Sequence, residues 1–169
     1  MEFIYPIKIE DLKIKLFRKV GLFKHPSYLI TLDGFGRVTF NGQFEDEIIY
    51  EGTINIPEIF KIFKYAVEIG FFNMKDTYDV KENLILKDGV IDCLSTVHCN
   101  REDLWLSIEI DTGEHSKKVC NYLGAPNRLD TLANRIEKVS KTKSVWEKEN
   151  LFYNEINCFK EAIVAQFEN

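Results

Sequence analysis

The run Tyr28-Leu29-Ile30-Thr31-Leu32-Asp33-Gly34-Phe35-Gly36-Arg37-Val38-Thr39-Phe40 decides how this chain folds. Tyr28, Ile30 and Leu32 alternate with Leu29 and Thr31, the period of two expected of a half-buried strand. Asp33-Gly34 and Gly36 supply the residues a tight turn needs where φ is positive. Val38 and Phe40 then resume the same face on the return. The stretch predicts a β-hairpin.

The same period extends to either side. Leu12, Ile14 and Leu16 alternate with Lys13 and Lys15, and Ile48, Tyr50 and Ile54 repeat the pattern downstream. The period changes after Asn55. Pro57 in the first turn and Glu58 three residues beyond Asn55 mark a helix start. Ile59, Phe60, Ile62, Phe63, Ala66 and Val67 form a wide apolar stripe, Gly70 provides the stop, and Phe71 and Phe72 anchor the exit in the core.

Asn73 to Asp92 has little pattern and is broken by Asp88-Gly89. It reads as a long loop, with room for a short hairpin through Leu84 and Leu86. Strand signals return at Cys93 to Cys99 and at Leu104 to Ile110. In the second, Leu104, Leu106, Ile108 and Ile110 face inward, and Trp105, Ser107, Glu109 and Asp111 face outward. Thr112-Gly113 makes a turn, Lys117 to Leu123 returns, and Gly124-Ala125-Pro126-Asn127 opens a helix carrying Leu129, Leu132, Ala133, Ile136 and Val139.

Ser144 with Glu147 resembles a capping box, and Phe152, Ile156, Phe159, Ile163 and Phe167 follow at steps of three and four. The expected architecture is therefore α+β: an antiparallel β-sheet built from hairpins with helices packed on it, plus an additional C-terminal helix. Residues 1–143 form the domain. Residues 144–169 form the extra helix, packing on the domain or on a partner chain.

The segment from Gly21 to Tyr28, then Gly34 to Gly42, Gly70-Phe71-Phe72, Tyr78, Asp92, Val119, Tyr122 and Gly124-Ala125-Pro126 with Leu129 and Ile136 resembles the bacterial and archaeal family called domain of unknown function (DUF) 6438. The resemblance covers about residues 12–139 and implies a shared fold without an activity. That family shows Cys-x-x-x-Cys followed by Pro ahead of the first hairpin. Here Gly21 and His25 stand at those places, before Pro26, so chemistry resting on such a cysteine pair is not available to the same atoms.

Composition narrows the function classes. The 169 residues are 45% apolar and 13% aromatic, enough to fill a core, and the net charge is −5. Nucleic-acid binders usually present a basic face. The clusters Lys13, Lys15, Arg18, Lys19 and Lys138, Lys141, Lys143 sit beside acids and lack interleaved aromatics, so no nucleic-acid partner is expected. No run approaches the ~20 apolar residues of a membrane span, nor a signal peptide. A cytoplasmic protein with reduced cysteines is expected. Cys93 and Cys99 share a strand face but lie roughly 20 Å apart, too far for a disulfide, and read as small buried hydrophobes.

Three chemistries remain to be weighed. Cys93, His98, Cys99, His115 and Cys120 fall in one third of the chain. They lack the paired close spacing of zinc ligands, and His98 and Cys99 point to opposite faces of a strand. Neither a metal nor a cofactor is expected. For catalysis the weak candidates are His98, His115 and Asp92, with His25, Glu109 and Asp111 behind them; a hydrolase-type enzyme working by carboxylate and histidine acid–base chemistry is the alternative reading. The preferred reading is a non-enzymatic binding or assembly module. Trp105 on the polar face of the strongest strand is a large apolar surface that something should cover. The C-terminal stripe of Phe152, Ile156 and Phe159 is the candidate cover, from the same chain or from a homodimer or protein partner. Trp105, Glu109, Phe152, Ile156 and Phe159 are the interface residues expected.

Overall fold

A computed structural model describes residues 6–19, 27–43, 47–98 and 104–142. Four seven-residue strands, β1 (Lys13–Lys19), β2 (Ser27–Asp33), β3 (Arg37–Gln43) and β4 (Glu47–Thr53), run as an antiparallel meander. Helix α1 (Ile56–Glu68) follows, and Gly70 takes the left-handed conformation just beyond it. Then come the short β5 (Thr77–Tyr78), the hairpin β6 (Val80–Lys87) and β7 (Val90–His98), strands β8 (Leu106–Asp111) and β9 (Ser116–Asn121), and α2 (Asn127–Ser140). The main sheet has seven strands in the order β4-β3-β2-β1-β8-β9-β5. All its pairings are antiparallel except β5 with β9. The fold is α+β, with a mostly antiparallel sheet and helices packed on it.

Alternation puts Ile14, Leu16, Ile30, Leu32, Val38, Phe40, Leu106, Ile108, Ile110 and Val119 on one sheet face, all fully buried. Ile59, Ile62 and Ala66 of α1 and Leu129, Leu132, Ala133 and Ile136 of α2 close over them in one core. Phe63 and Phe71 each meet Phe72 edge-on, at centroid distances of 6.0 and 5.4 Å, and so hold the exit of α1 in that core. On the other face, among the described residues, Leu29, Ile49 and Trp105 are exposed and Lys15, Thr31 and Thr39 half-buried, as one face of an antiparallel sheet can meet water. The first hairpin turn takes its positive φ at Gly36 (92°) and not at Asp33 or Gly34, and Asp33 Oδ1 accepts from the N–H groups of Phe35 and Arg37 at 3.1 and 2.9 Å.

Several expectations are corrected. Residues 73–92 are not one long loop, and the hairpin through Leu84 and Leu86 is present and longer than expected. After a buried turn at Phe71–Asn73 they enter β5 and β6, and Asp88 and Gly89 (φ 52° and 78°) form the two-residue turn that opens β7. The signal was weak because β6–β7 has no buried face, so no period of two was required of it. Cys93 is exposed, not a buried hydrophobe. Phe60 and Val67 belong to the solvent side of α1. Ser107 is on the open face yet buried, and Leu104 precedes β8 rather than joining it. The helix start at Asn55 uses its backbone: Glu58 N–H donates to Asn55 O at 2.9 Å, with no side-chain cap.

Candidate interaction surface

The β6–β7 hairpin stands off the main sheet as a separate two-stranded arm. Its root is fixed by backbone bonds. Tyr78 pairs with Asn121, and the Tyr122 and Leu123 N–H groups both donate to Tyr78 O at 2.8 and 2.9 Å. Beyond the root the strands pair with each other, with a register shift after Asn83 that leaves Leu94 as an extra residue in β7. Every residue of β7 is exposed. Val80, Leu84, Leu86, Val90, Ile91, Leu94 and Val97 are large apolar side chains in water, and Leu86 and Ile91 are more than 70% exposed.

The two faces of the arm differ. Cross-strand register places Val80 against His98, Glu82 against Thr96, Leu84 against Cys93 and Leu86 against Ile91 on one face. The opposite face carries Lys81, Asn83, Lys87, Asp92 and Ser95 with Ile85, Val90 and Val97. One face is thus mainly apolar with a single carboxylate near the root, and the other is guarded by charge.

Trp105 lies at the same end of the sheet. Its N–H donates to Asn121 O and its carbonyl accepts from Lys19 N–H, both at 3.0 Å, and 41% of its surface is open. With Leu29 and Ile49, also exposed, it makes the open face apolar at that end. Glu109, further along, holds Lys15 Nζ at 2.7 Å. The remaining predicted interface residues, Phe152, Ile156 and Phe159, lie outside the described residues, as do His25, Cys99 and the whole proposed helix 144–169.

The weak catalytic candidates do not converge. His98 is at the root of the arm and Asp92 near its tip, where Asp92 Oδ1 accepts from Cys93 N–H at 2.8 Å. Six residues of strand put them roughly 20 Å apart. His115 sits in the β8–β9 turn, where its N–H donates to Thr112 Oγ1 and its carbonyl accepts from Thr112. That turn is at the far end of β9 from the root, again roughly 17–20 Å away. Neither a cleft of about 320 Å³ between Glu10, Asp33 and Arg37 nor one of about 390 Å³ between Asn55, Glu58 and Lys138 is lined by any of the three. Cys120 is half-buried, and burial pushes its thiol up, with Lys118 opposing. Such a thiol is a poor nucleophile. Among the described residues no three His, Cys, Asp or Glu gather as a metal would need.

One polar cluster escaped sequence reading. Arg18, grouped in the sequence with Lys13, Lys15 and Lys19, points to the helix side of β1 beneath α2. Its Nε lies 3.0 Å from Glu137 Oε1, an ion pair whose angle falls short of a hydrogen bond, and its Nη2 donates to Asn134 Oδ1 at 3.3 Å. The buried Tyr28 hydroxyl donates to the same Glu137 oxygen at 2.6 Å. These contacts clamp α2 to β1 and β2. The alternation Ile14, Leu16, Arg18 was the available signal. Comparison of the chain with models of known families and with curated proteins finds no match.

Proposed function

We propose that this chain is a non-enzymatic binding or assembly module that engages protein through the β6–β7 arm. The observation that carries this reading is the arm itself. An isolated two-stranded hairpin is marginally stable in water, and this one places seven large apolar side chains there. A surface of that kind gains by being covered, at roughly 25 cal/mol per Å². The dispersal of His98, His115 and Asp92 gives the hydrolase alternative no support. The resemblance to DUF 6438 over residues 12–139, a cytoplasmic location and a second contact through residues 144–169 with a homodimer or protein partner belong to the same proposal. No helix among the described residues is long and apolar enough to cross a membrane.

Hydrogen exchange on the full chain at high dilution tests the reading. Arm amides of residues 80–98 are expected to exchange far faster than those of β1, β2 and β8, because the arm alone opens locally. Arm protection equal to that of the central strands, at every concentration, would mean the chain covers its own arm, and the reading would be lost.

A further inference from the structure

We infer that the occupant of the arm is a second copy of this chain: two arms stack through the face carrying Val80, Leu84, Leu86, Ile91 and Cys93. The inference rests on the binding reading above and names its partner. Three observations point to a copy.

The first is area. Val80, Leu84, Leu86 and Ile91 are 38%, 63%, 73% and 72% exposed. Together they present on the order of 400 Å² of apolar surface, about half of the ~800 Å² each partner contributes to a standard interface. Apolar atoms make up a little over half of such interfaces, so the apolar content of one arm face matches one side of a dimer of ordinary size.

The second is charge. A contact about a two-fold axis brings each patch against its own equivalent, so a face serves only if it does not repel itself. The chosen face has one carboxylate, Glu82, and it sits toward the root. With the axis between Leu84–Cys93 and Leu86–Ile91 and the arms antiparallel, the two Glu82 carboxylates lie at opposite ends of the contact. The other face would bring Lys81, Lys87 and Asp92 into the interface and desolvate them.

The third is the register. Leu86 pairs with Ile91 directly across the ladder, two residues before the Asp88-Gly89 turn, so the arm's most exposed apolar side chains form one cross-strand pair near its tip. Two such pairs set ~10 Å apart, the spacing of stacked sheets, bury each other.

The experiment is light scattering and sedimentation on the full chain across about a hundredfold range in the micromolar region, with mass-spectrometric alkylation of Cys93 in parallel. The expected species is twice the 19.8 kDa chain mass, with Cys93 protected as the dimer forms. The double variant Leu86→Lys with Ile91→Glu keeps a favourable cross-strand pair while burying charge between copies. Its dimer should be weaker by about a hundredfold or more, with the melting of the dilute monomer unchanged. Lys87→Gln, on the opposite face, should leave the dimer constant unchanged. Leu84→Ser repeats the test should the charged pair fail to fold. A monomer throughout, with Cys93 freely alkylated, overturns the second copy and leaves the binding reading standing with a different protein as occupant. A dimer unaffected by both arm variants also overturns it, placing the contact elsewhere. A monomer with Cys93 protected overturns both.

Discussion

The Tyr28 hydroxyl donates to Glu137 Oε1 at 2.6 Å, across 109 residues of sequence, and joins the second strand to the second helix. Arg18 Nε lies against the same carboxylate as an ion pair, so one acid on α2 takes a hydrogen bond from one strand and a charge from its neighbour. Removing the acid takes away both the Tyr28 hydrogen bond and the Arg18 ion pair, whereas removing the hydroxyl leaves the ion pair. Glu137→Ala should therefore cost about 2–4 kcal/mol, the upper range discounted because Arg18 keeps some solvent. Tyr28→Phe should cost about 1.5–2 kcal/mol. Urea unfolding of the two variants checks the order, and equal costs would show that Arg18 does not depend on Glu137.

The same contact sets a response to alkaline pH. Burial raises the Tyr28 hydroxyl well above its ordinary value, the hydrogen bond to Glu137 and that carboxylate's charge raise it further, and Arg18 pulls it back in part. A group whose folded value is raised contributes stability that is present below its unfolded value and lost as pH rises toward the folded one. The window therefore opens near pH 10, the usual tyrosine value, with a loss of up to ~1.4 kcal/mol per pH unit. Tyr28→Phe should flatten the fall in unfolding free energy between about pH 10 and 11. A wild-type slope identical to that of the variant would contradict this assignment.

On the open face, the Lys15–Glu109 pair has ideal distance but another setting. The two side chains are 37% and 26% exposed, so water screens them. Glu109→Gln should cost at most ~1 kcal/mol, and the cost should shrink further in high salt. A double-mutant cycle with Lys15→Met measures the coupling, and a value near that of the Glu137 cluster would mean the open face is covered in solution.

How much of this was legible in the residues follows from what each stretch buries. Strands β1, β2, β3 and β8 carry strict alternation because one face meets the helices and the other meets water, and that asymmetry writes itself into sequence. Helix α2 was equally readable from Leu129, Leu132 and Ile136. The arm was only partly so: a short hairpin through Leu84 and Leu86 and a strand from Cys93 were legible, but a ribbon with both faces in water has no burial to impose a period, and its full length from Val80 to His98 read as loop. Trp105 was read as an exposed oddity and stands open beside the root of the arm. The place of Arg18 was hidden for a different reason: the lysines around it share its charge, and only the parity of Ile14, Leu16 and Arg18 separates it from them. Whether His98, Asp92 and His115 converge depends on which strands neighbour which, and spacing along one chain does not contain that.

Two glycines at turn positions should respond differently to the same change. Gly36 has φ of 92°, and a Cβ there would fall 2.3 Å from Ile54 O, whose own N–H donates to Gly36 O at 2.8 Å. The neighbour is backbone between β4 and α1, already held by that hydrogen bond, so it cannot give way. Gly89, with φ of 78°, has nothing within 4 Å of the same added atom. Gly89→Ala thus meets only the left-handed conformational penalty, about 1 kcal/mol, and that on an arm that opens locally. Gly36→Ala meets the same penalty plus a clash in the turn that sets the register of the core hairpin, and should cost about 2–4 kcal/mol. Thermal unfolding of the dilute chain separates them: a shift of several degrees for Gly36→Ala and almost none for Gly89→Ala. Equal shifts would mean that the arm is as much a part of the cooperative fold as the first hairpin, and hence that something in the monomer already covers it.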